Sequence, residues 1–251
     1  MLLDMHVHTT RYSKCGRQTP REMARRAREV GLDGVVITEH NEIWTDEEIA
    51  ELRQEFPDLT LLRGVEVSAR GCHILVYGIT DFAGFEKGMP AADVVKLAHE
   101  RGAVAVWAHP LQHSLVPDPK IAAAGFDACE TRSINIDELE HSEYDALAER
   151  LGVPVMWNSD AHHDVVVGTY ATRFHGPVRD ERELAERIRE RAFQPVEQKT
   201  WSRPAWRLRI PYWEEAIRKM IAEGVTDPEA IKRKTGASLA RIQAMLEQAK
   251  R

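Results

Sequence analysis

The chain has 251 residues, of which 43% are hydrophobic and 29% charged, and its formal net charge is −6. That composition describes a globular chain with one sizeable core, and the acidic balance argues against a surface that coats nucleic acid. No run nears the roughly 18 apolar residues of a membrane span. The first apolar run already begins at Leu2, so no signal peptide is expected. Cys15, Cys72 and Cys129 have no paired spacing, so a reducing, cytoplasmic setting is expected.

In chain order, Leu2–Val7 reads as a strand. Thr19-Pro20-Arg21-Glu22 is a capping box with proline in the first turn, opening a helix that stops near Gly31. Gly34–Thr38 is a buried strand ending on Glu39-His40, and Thr45-Asp46-Glu47-Glu48 is a second capping box. Leu59–Val67 and Cys72–Ile79 read as neighbouring strands, followed by a helix over Ala91–Arg101 and a strand over Ala103–Ala108. Further strands are predicted at Gly125–Glu130, Val153–Trp157 and Thr169–Phe174, and a helix at Asp180–Ala192. This alternation of strands and amphipathic helices predicts an α/β fold, with about seven βα units closing into a TIM-like barrel. Composition shifts near residue 199. Residues 1–199 are assigned to the barrel and 200–251 to a connector and a helical annex. The connector holds Trp201, Trp206, Trp213, Arg203, Arg207 and Arg209; the annex has helical patterns at 212–223, 228–235 and 238–250. Its tryptophans are expected to bury at the seam with the barrel.

The chemistry sits where strands end. His6 and His8 are two apart on a strand and so share a face. His40, Glu66, His73, His109, Asp160 and His162 each stand at a strand end or just beyond one, the edge where barrels bind ligands. Imidazoles and carboxylates in this mixture suit divalent transition metals. The remaining histidines, 99, 113, 141, 163 and 175, read as solvating groups, with His163 closest to the set.

Asp4-Met5-His6-Val7-His8-Thr9, Ile37-Thr38-Glu39-His40-Asn41, Gly64-Val65-Glu66, Cys72-His73-Ile74-Leu75, Ala108-His109-Pro110 and Ser159-Asp160-Ala161-His162 resemble, in order and spacing, the motifs of the polymerase and histidinol phosphatase (PHP) family. The resemblance covers about the first 175 to 195 residues. It implies a distorted seven-stranded (β/α)7 barrel, two or three divalent metal ions (Zn, Mn or Fe) and phosphoesterase activity. Carried over by position, it puts His6, His8, Glu66 and Asp160 on one ion. Glu66 then bridges to a second ion held with His73 and His109, and His40 and His162 hold a third. Glu66, Asp160 and His109 are the implied catalytic residues. Two departures stand out. The stretch Thr10–Cys15 lacks the further imidazole or carboxylate that many members use at the third site, leaving Cys15 or Lys14 to fill that space. Glu39 stands where aspartate is usual, and it or Asp4 is expected to support a ligand histidine.

Such a cluster of cations outweighs Glu66 and Asp160, so an anionic substrate is expected. The expected reaction is hydrolysis of a phosphomonoester, on a small metabolite or nucleotide, by metal-activated hydroxide. Arg132, Lys14 and Arg173 are the candidate phosphate-binding residues. Two other classes compete. An amidohydrolase-type barrel also opens with His-X-His but wants a bridging lysine where Glu66 stands. A non-catalytic, metal-stabilised module could bind partners through the annex, whose Thr235-Gly236-Ala237-Ser238 turn resembles helix-turn-helix spacing. Nucleic acid is not the favoured partner, because the annex is only mildly basic.

Overall fold

The computed structural model describes residues 1–112, 116–198 and 203–250, the side chains of 203–209 excepted. His113 and Trp201 lie outside the described residues, as do the side chains of Arg203, Trp206, Arg207 and Arg209. The strands are β1 (Leu2–Val7), β2 (Gly34–His40), β3 (Thr60–Ala69), β4 (Cys72–Tyr77), β5 (Val104–Ala108), β6 (Ala128–Arg132), β7 (Val155–Trp157), β8 (Tyr170–Phe174) and β9 (Phe193–Glu197). Between them run α1 (Pro20–Glu29), α2 (Asp46–Glu55), α3 (Ala91–Glu100), the short α4 (Pro119–Ala122), α5 (His141–Leu151) and α6 (Glu181–Arg189). Both predicted capping boxes form, at Thr19/Glu22 and Thr45/Glu48.

One sheet holds all nine strands in the order β7-β6-β5-β4-β3-β2-β1-β8-β9. The pairs β1–β2–β3 and β5–β6–β7 are parallel, while β4 runs antiparallel to both neighbours and β8 antiparallel to β1 and β9. The mixed α/β, barrel-like architecture matches expectation, but the seven-strand count does not. The cause at β4 is local: Arg70-Gly71, with Gly71 at φ +79°, reverses the chain at once, and a tight turn can only join antiparallel strands. Thr172 of β8 donates to the carbonyl of Trp157 at the end of β7, 3.1 Å away, so the sheet nearly closes. Three elements escaped the sequence: the four-residue α4, helix α5 and strand β9. Helix α5 has no side-chain cap, so nothing announces its start. Strand β9 contains Pro195, tolerated because this strand ends the sheet order.

Side chains alternate between a barrel interior and an outer layer under the helices. Leu3, Met5, Val36, Leu62, Leu75, Val104, Val106 and Ala128 fill the interior, joined by Leu184, Ala185 and Ile188 of α6. A Cβ added at Gly78, just past β4, would lie 2.7 Å from Ala185, so α6 closes the end of the barrel opposite the carboxyl ends of the parallel strands. Val35, Ile37 and Leu61 pack outward against Met23, Ala24 and Leu52 of α1 and α2. Two bulges break the alternation. Between Asp4 and Val7 the β1–β2 register shifts, so Met5 faces inward, Val7 outward, and His6 and His8 turn in. A second shift, between Glu130 and Arg132, does the same to β6.

Three further helices follow: α7 (Arg203–Ala222), α8 (Pro228–Thr235) and α9 (Leu239–Ala249). Helix α7 starts well before the predicted 212 and runs on through Pro211. Ile217, Met220, Ile231, Ile242 and Leu246 form an apolar cluster of their own, with Trp213 packed against it rather than against the barrel. Among the described residues no helix is long and apolar enough to cross a membrane.

Candidate metal centre

All eight predicted donors meet at the carboxyl ends of the parallel strands. Glu66, almost wholly buried, is the hub. Its Oε2 lies 3.4 Å from His6 Nε2, 3.2 Å from His8 Nε2 and 2.9 Å from His40 Nδ1. Its Oε1 lies 2.8 Å from His73 Nδ1 and 3.1 Å from His109 Nε2. Asp160 Oδ1 is 3.4 Å from both His6 Nε2 and His8 Nε2, and 3.6 Å from His162 Nδ1. Four overlapping triads have donor atoms close enough for one ion: His6/His8/Glu66, Glu66/His73/His109, His6/His109/Asp160 and His8/His40/His162. His8 Nδ1 faces Ser13 Oγ at 3.3 Å, leaving only Nε2 for the cluster, so His8 serves one ion at a time. The last triad closes through His8; among the described residues Cys15 belongs to no triad.

The donor set fits a cation on physical grounds. His6 Nε2, His8 Nε2, His40 Nδ1 and Glu66 Oε2 are buried yet make no hydrogen bond of sound geometry, despite being near one another. Buried polar atoms left so cost free energy unless an ion satisfies them. Burial alone would depress the histidines, but Asp160, Glu130 and Glu66 hold His6 well above its ordinary value. His8 is likewise pushed up to about 9 by Asp160 and Glu66 against its burial, and His109 is raised by Glu66. Glu66 and Asp160, which burial would raise, are instead held low by these imidazoles. His162 is lowered, first by burial. The buried carboxylates and the imidazoles around them therefore favour positive charge at this point. A divalent ion held there would supply that charge.

Strain marks the same edge. Asn41, His109 and Asp160 take φ values of +54°, +27° and +54°, rare for residues with a Cβ, and all three sit immediately past a strand or within this site. Supporting residues hold the donors. Glu130, fully buried on β6, lies 3.1 Å from His6 Nδ1, and accepts from Asn158 Nδ2 at 3.1 Å and from the His109 amide at 3.3 Å. The expected supporters behave differently. Glu39 binds Thr9 and Trp44 rather than a histidine, because it neighbours His40 on a strand and so faces the other way. Asp4 accepts from the amides of Ser159 and Gly168, and burial pushes its carboxyl up to about 6 despite those bonds. It thereby anchors the segment that presents Asp160. Sequence reading missed the roles of Glu130 and Ser13. The signal for Glu130 was its place two residues after Ala128 on an inward strand face.

A cavity of about 450 Å³ opens over the cluster, bordered by His40, His73, His109, His162, Cys15, Arg17, Gln112, Ile134, Asn135 and His163. None of the three expected phosphate-binding residues is among them. Arg132 points outward, turned by the β6 bulge, and its guanidinium pairs with Asp145 at 2.6 Å over the Trp157 ring. Arg173 pairs in register with Leu2, at the far end of β1. Lys14 is exposed and does not border the cavity. Arg17 does border it, with its backbone amide bonded to His162 O at 2.7 Å.

Comparison with known proteins agrees with this geometry. A family model described as "PHP domain" matches residues 4–121, and one described as "PHP-associated" matches 139–193. An uncharacterized protein of Methanocaldococcus jannaschii is 28% identical over 120 residues, spanning 44% of this chain and 68% of its own. PsfC from Pseudomonas syringae superposes with a TM-score of 0.58 at 19% identity, over 79% of this chain and 91% of its own. A two-domain protein from Bacteroides vulgatus, containing a predicted PHP-like metal-dependent phosphoesterase, gives 0.61 at 17% identity, over 79% and 65%. An amidohydrolase from Chromobacterium violaceum gives 0.53 at 17% identity, over 76% and 97%. Residues 4–121 thus match the PHP domain and 139–193 the PHP-associated region that follows it, and the motifs of that domain gather at one barrel mouth.

Proposed function

We propose that the protein is a metal-dependent phosphoesterase that hydrolyses a phosphomonoester on a small metabolite or nucleotide. The observation that carries this reading is the Glu66-centred cluster of buried side chains, four of whose ligand atoms lack a sound hydrogen bond, under a cavity that Arg17 also borders. Two or three divalent ions, of Zn, Mn or Fe, suit the four triads, with Glu66 offering one oxygen to each of two neighbouring groups. Ions held there would supply Lewis acidity and lower the pKa of water from about 16 to near 7.

The chain's own residues define the rest. Arg17 offers a bidentate donor to phosphate at the mouth. Asn135 donates to Asp160 Oδ2 at 2.6 Å, which leaves Oδ1 turned to His6 and His8. His109, beside Glu66 Oε1, stands where a reacting oxygen would meet the cluster. Cys15 is the one thiol bordering the cavity, and burial raises its pKa, keeping it a thiol. In this reading water, rather than a side chain, is the attacking group. The substrate is a phosphorylated small molecule and the setting cytoplasmic, in keeping with three free cysteines.

The amidohydrolase reading keeps one support, the Chromobacterium neighbour so described, whose structure contains bound sulfate. Against it, Glu66 stands where that class wants its lysine, and among the described residues no lysine borders the cavity. The test is a panel of phosphomonoesters, carboxamides and lactones, with metal content measured on the same preparation. Turnover confined to phosphomonoesters is expected. Turnover of amides or lactones alone would sink the proposal.

A further inference from the structure

The helical annex meets the barrel at one charged seam. Arg241 of α9 forks onto Asp137, Nε to Oδ2 at 2.8 Å and Nη2 to Oδ1 at 2.9 Å. Ser238 donates to the same Oδ2 at 2.8 Å, and the Leu139 amide donates to Oδ1 at 3.1 Å. Arg241 also reaches Glu214 on α7 at 3.2 Å. Both partners of the fork are buried. Burial would raise Asp137, yet Arg241, the Leu139 amide and Ser238 hold it below its ordinary value. A second tie runs from Lys232 of α8, whose ammonium donates to Gln112 O at 2.6 Å.

Both ties land on segments that border the cavity. Gln112 closes the loop after His109. Asp137 ends the turn that begins at Ser133, and that turn carries Ile134 and Asn135 into the cavity wall. It is pinned on its inner side by the Ile134 amide to Ser159 O at 3.0 Å, and by Asn135 to Asp160. A continuous path therefore runs from Arg241 through Asp137 and Asn135 to a carboxylate of the metal centre. Fully paired at both ends, it has little freedom to shift.

We propose that the annex is a clamp on the mouth of the metal centre, and that Arg241 is a positioning residue acting through Asp137 and Asn135 on Asp160. Asn135 takes Oδ2, which fixes the rotation of the carboxylate and presents Oδ1 to His6 and His8. The inference uses the metal-binding part of the reading above but not the identity of the substrate. Removing an outer partner of a metal ligand typically weakens metal binding 10–100-fold.

The test uses the full-length chain with Asp137→Asn and Arg241→Met together, so that no buried charge is left unpaired. Amide hydrogen exchange is followed over residues 133–140 in chelator-stripped protein, and Mn²⁺ affinity is measured by titration. Exchange in the 133–137 turn should quicken at least about tenfold, and Mn²⁺ affinity should fall about tenfold. Asn135→Ala should lose affinity by a similar factor, and combining it with the pair should add little, because both act along one path. Unchanged exchange or unchanged affinity in the double variant, measured where circular dichroism shows it folded, would overturn the clamp. Additive losses would overturn the path through Asn135. Failure of the parent chain to hydrolyse any phosphomonoester would remove the proposed reaction while leaving the exchange result to decide the clamp.

Discussion

Two buried clusters of charge, one at the mouth of the barrel and one at the annex seam, are built on opposite terms. At the seam every oxygen of Asp137 is used: Arg241, Ser238 and the Leu139 amide supply four donors. At the mouth, Glu66 Oε2 and three imidazole nitrogens are buried without a sound hydrogen bond, and His109 and Asp160 sit at positive φ. A satisfied cluster holds elements together; an unsatisfied, strained one is kept for something that binds. The contrast separates structure from chemistry without reference to any substrate.

The comparison predicts how each cluster breaks. At the mouth, His6→Ala with His8→Ala should lower turnover by about 10³-fold, some 4 kcal/mol of transition-state stabilisation. Secondary structure by circular dichroism should stay as in the parent. Retained turnover would remove those histidines from the reaction. At the seam the effect is on stability. Asp137→Ala strands a buried guanidinium and should cost about 3–5 kcal/mol in urea unfolding, whereas Asp137→Asn with Arg241→Met should cost about 1–2 kcal/mol. Equal losses would mean that the pairing is not what makes the seam costly to break.

Smaller effects sharpen the contrast. Glu130→Gln keeps the shape beside His6 but removes the negative charge, so metal affinity should drop 10–100-fold with the melting temperature little changed. An unchanged metal titration would reduce Glu130 to a packing residue. Acid provides the weakest probe. Asp137 binds its proton less tightly folded than unfolded, where its ordinary value is 3.8. Its stabilising contribution is therefore present above about pH 4 and is lost as the pH falls through the depressed folded value. Unfolding measured from pH 7 to 3 should show this loss in the parent and a shallower one in the Asp137→Asn, Arg241→Met protein. Identical slopes would assign the acid sensitivity elsewhere.

Residue types and their order along the chain were enough to pick out side chains that meet: strand ends bearing His6, His8, His40, Glu66, His73, His109, Asp160 and His162 converge as expected, because parallel strands share one carboxyl edge. Helix starts with a capping box were equally readable, since the signal lies within four residues. What needed three dimensions was everything that depends on which way a side chain faces after an irregularity. The bulge in β6 turns Arg132 out of the cavity, and the one in β1 turns His6 and His8 in; period-two reading cannot register either. Arg17 meets His162, Asn135 meets Asp160 and Arg241 meets Asp137, the last pair 104 positions apart, through loops that carry no periodic pattern. A strand's face is a local property of sequence, but the position of a loop is decided only by what it packs against.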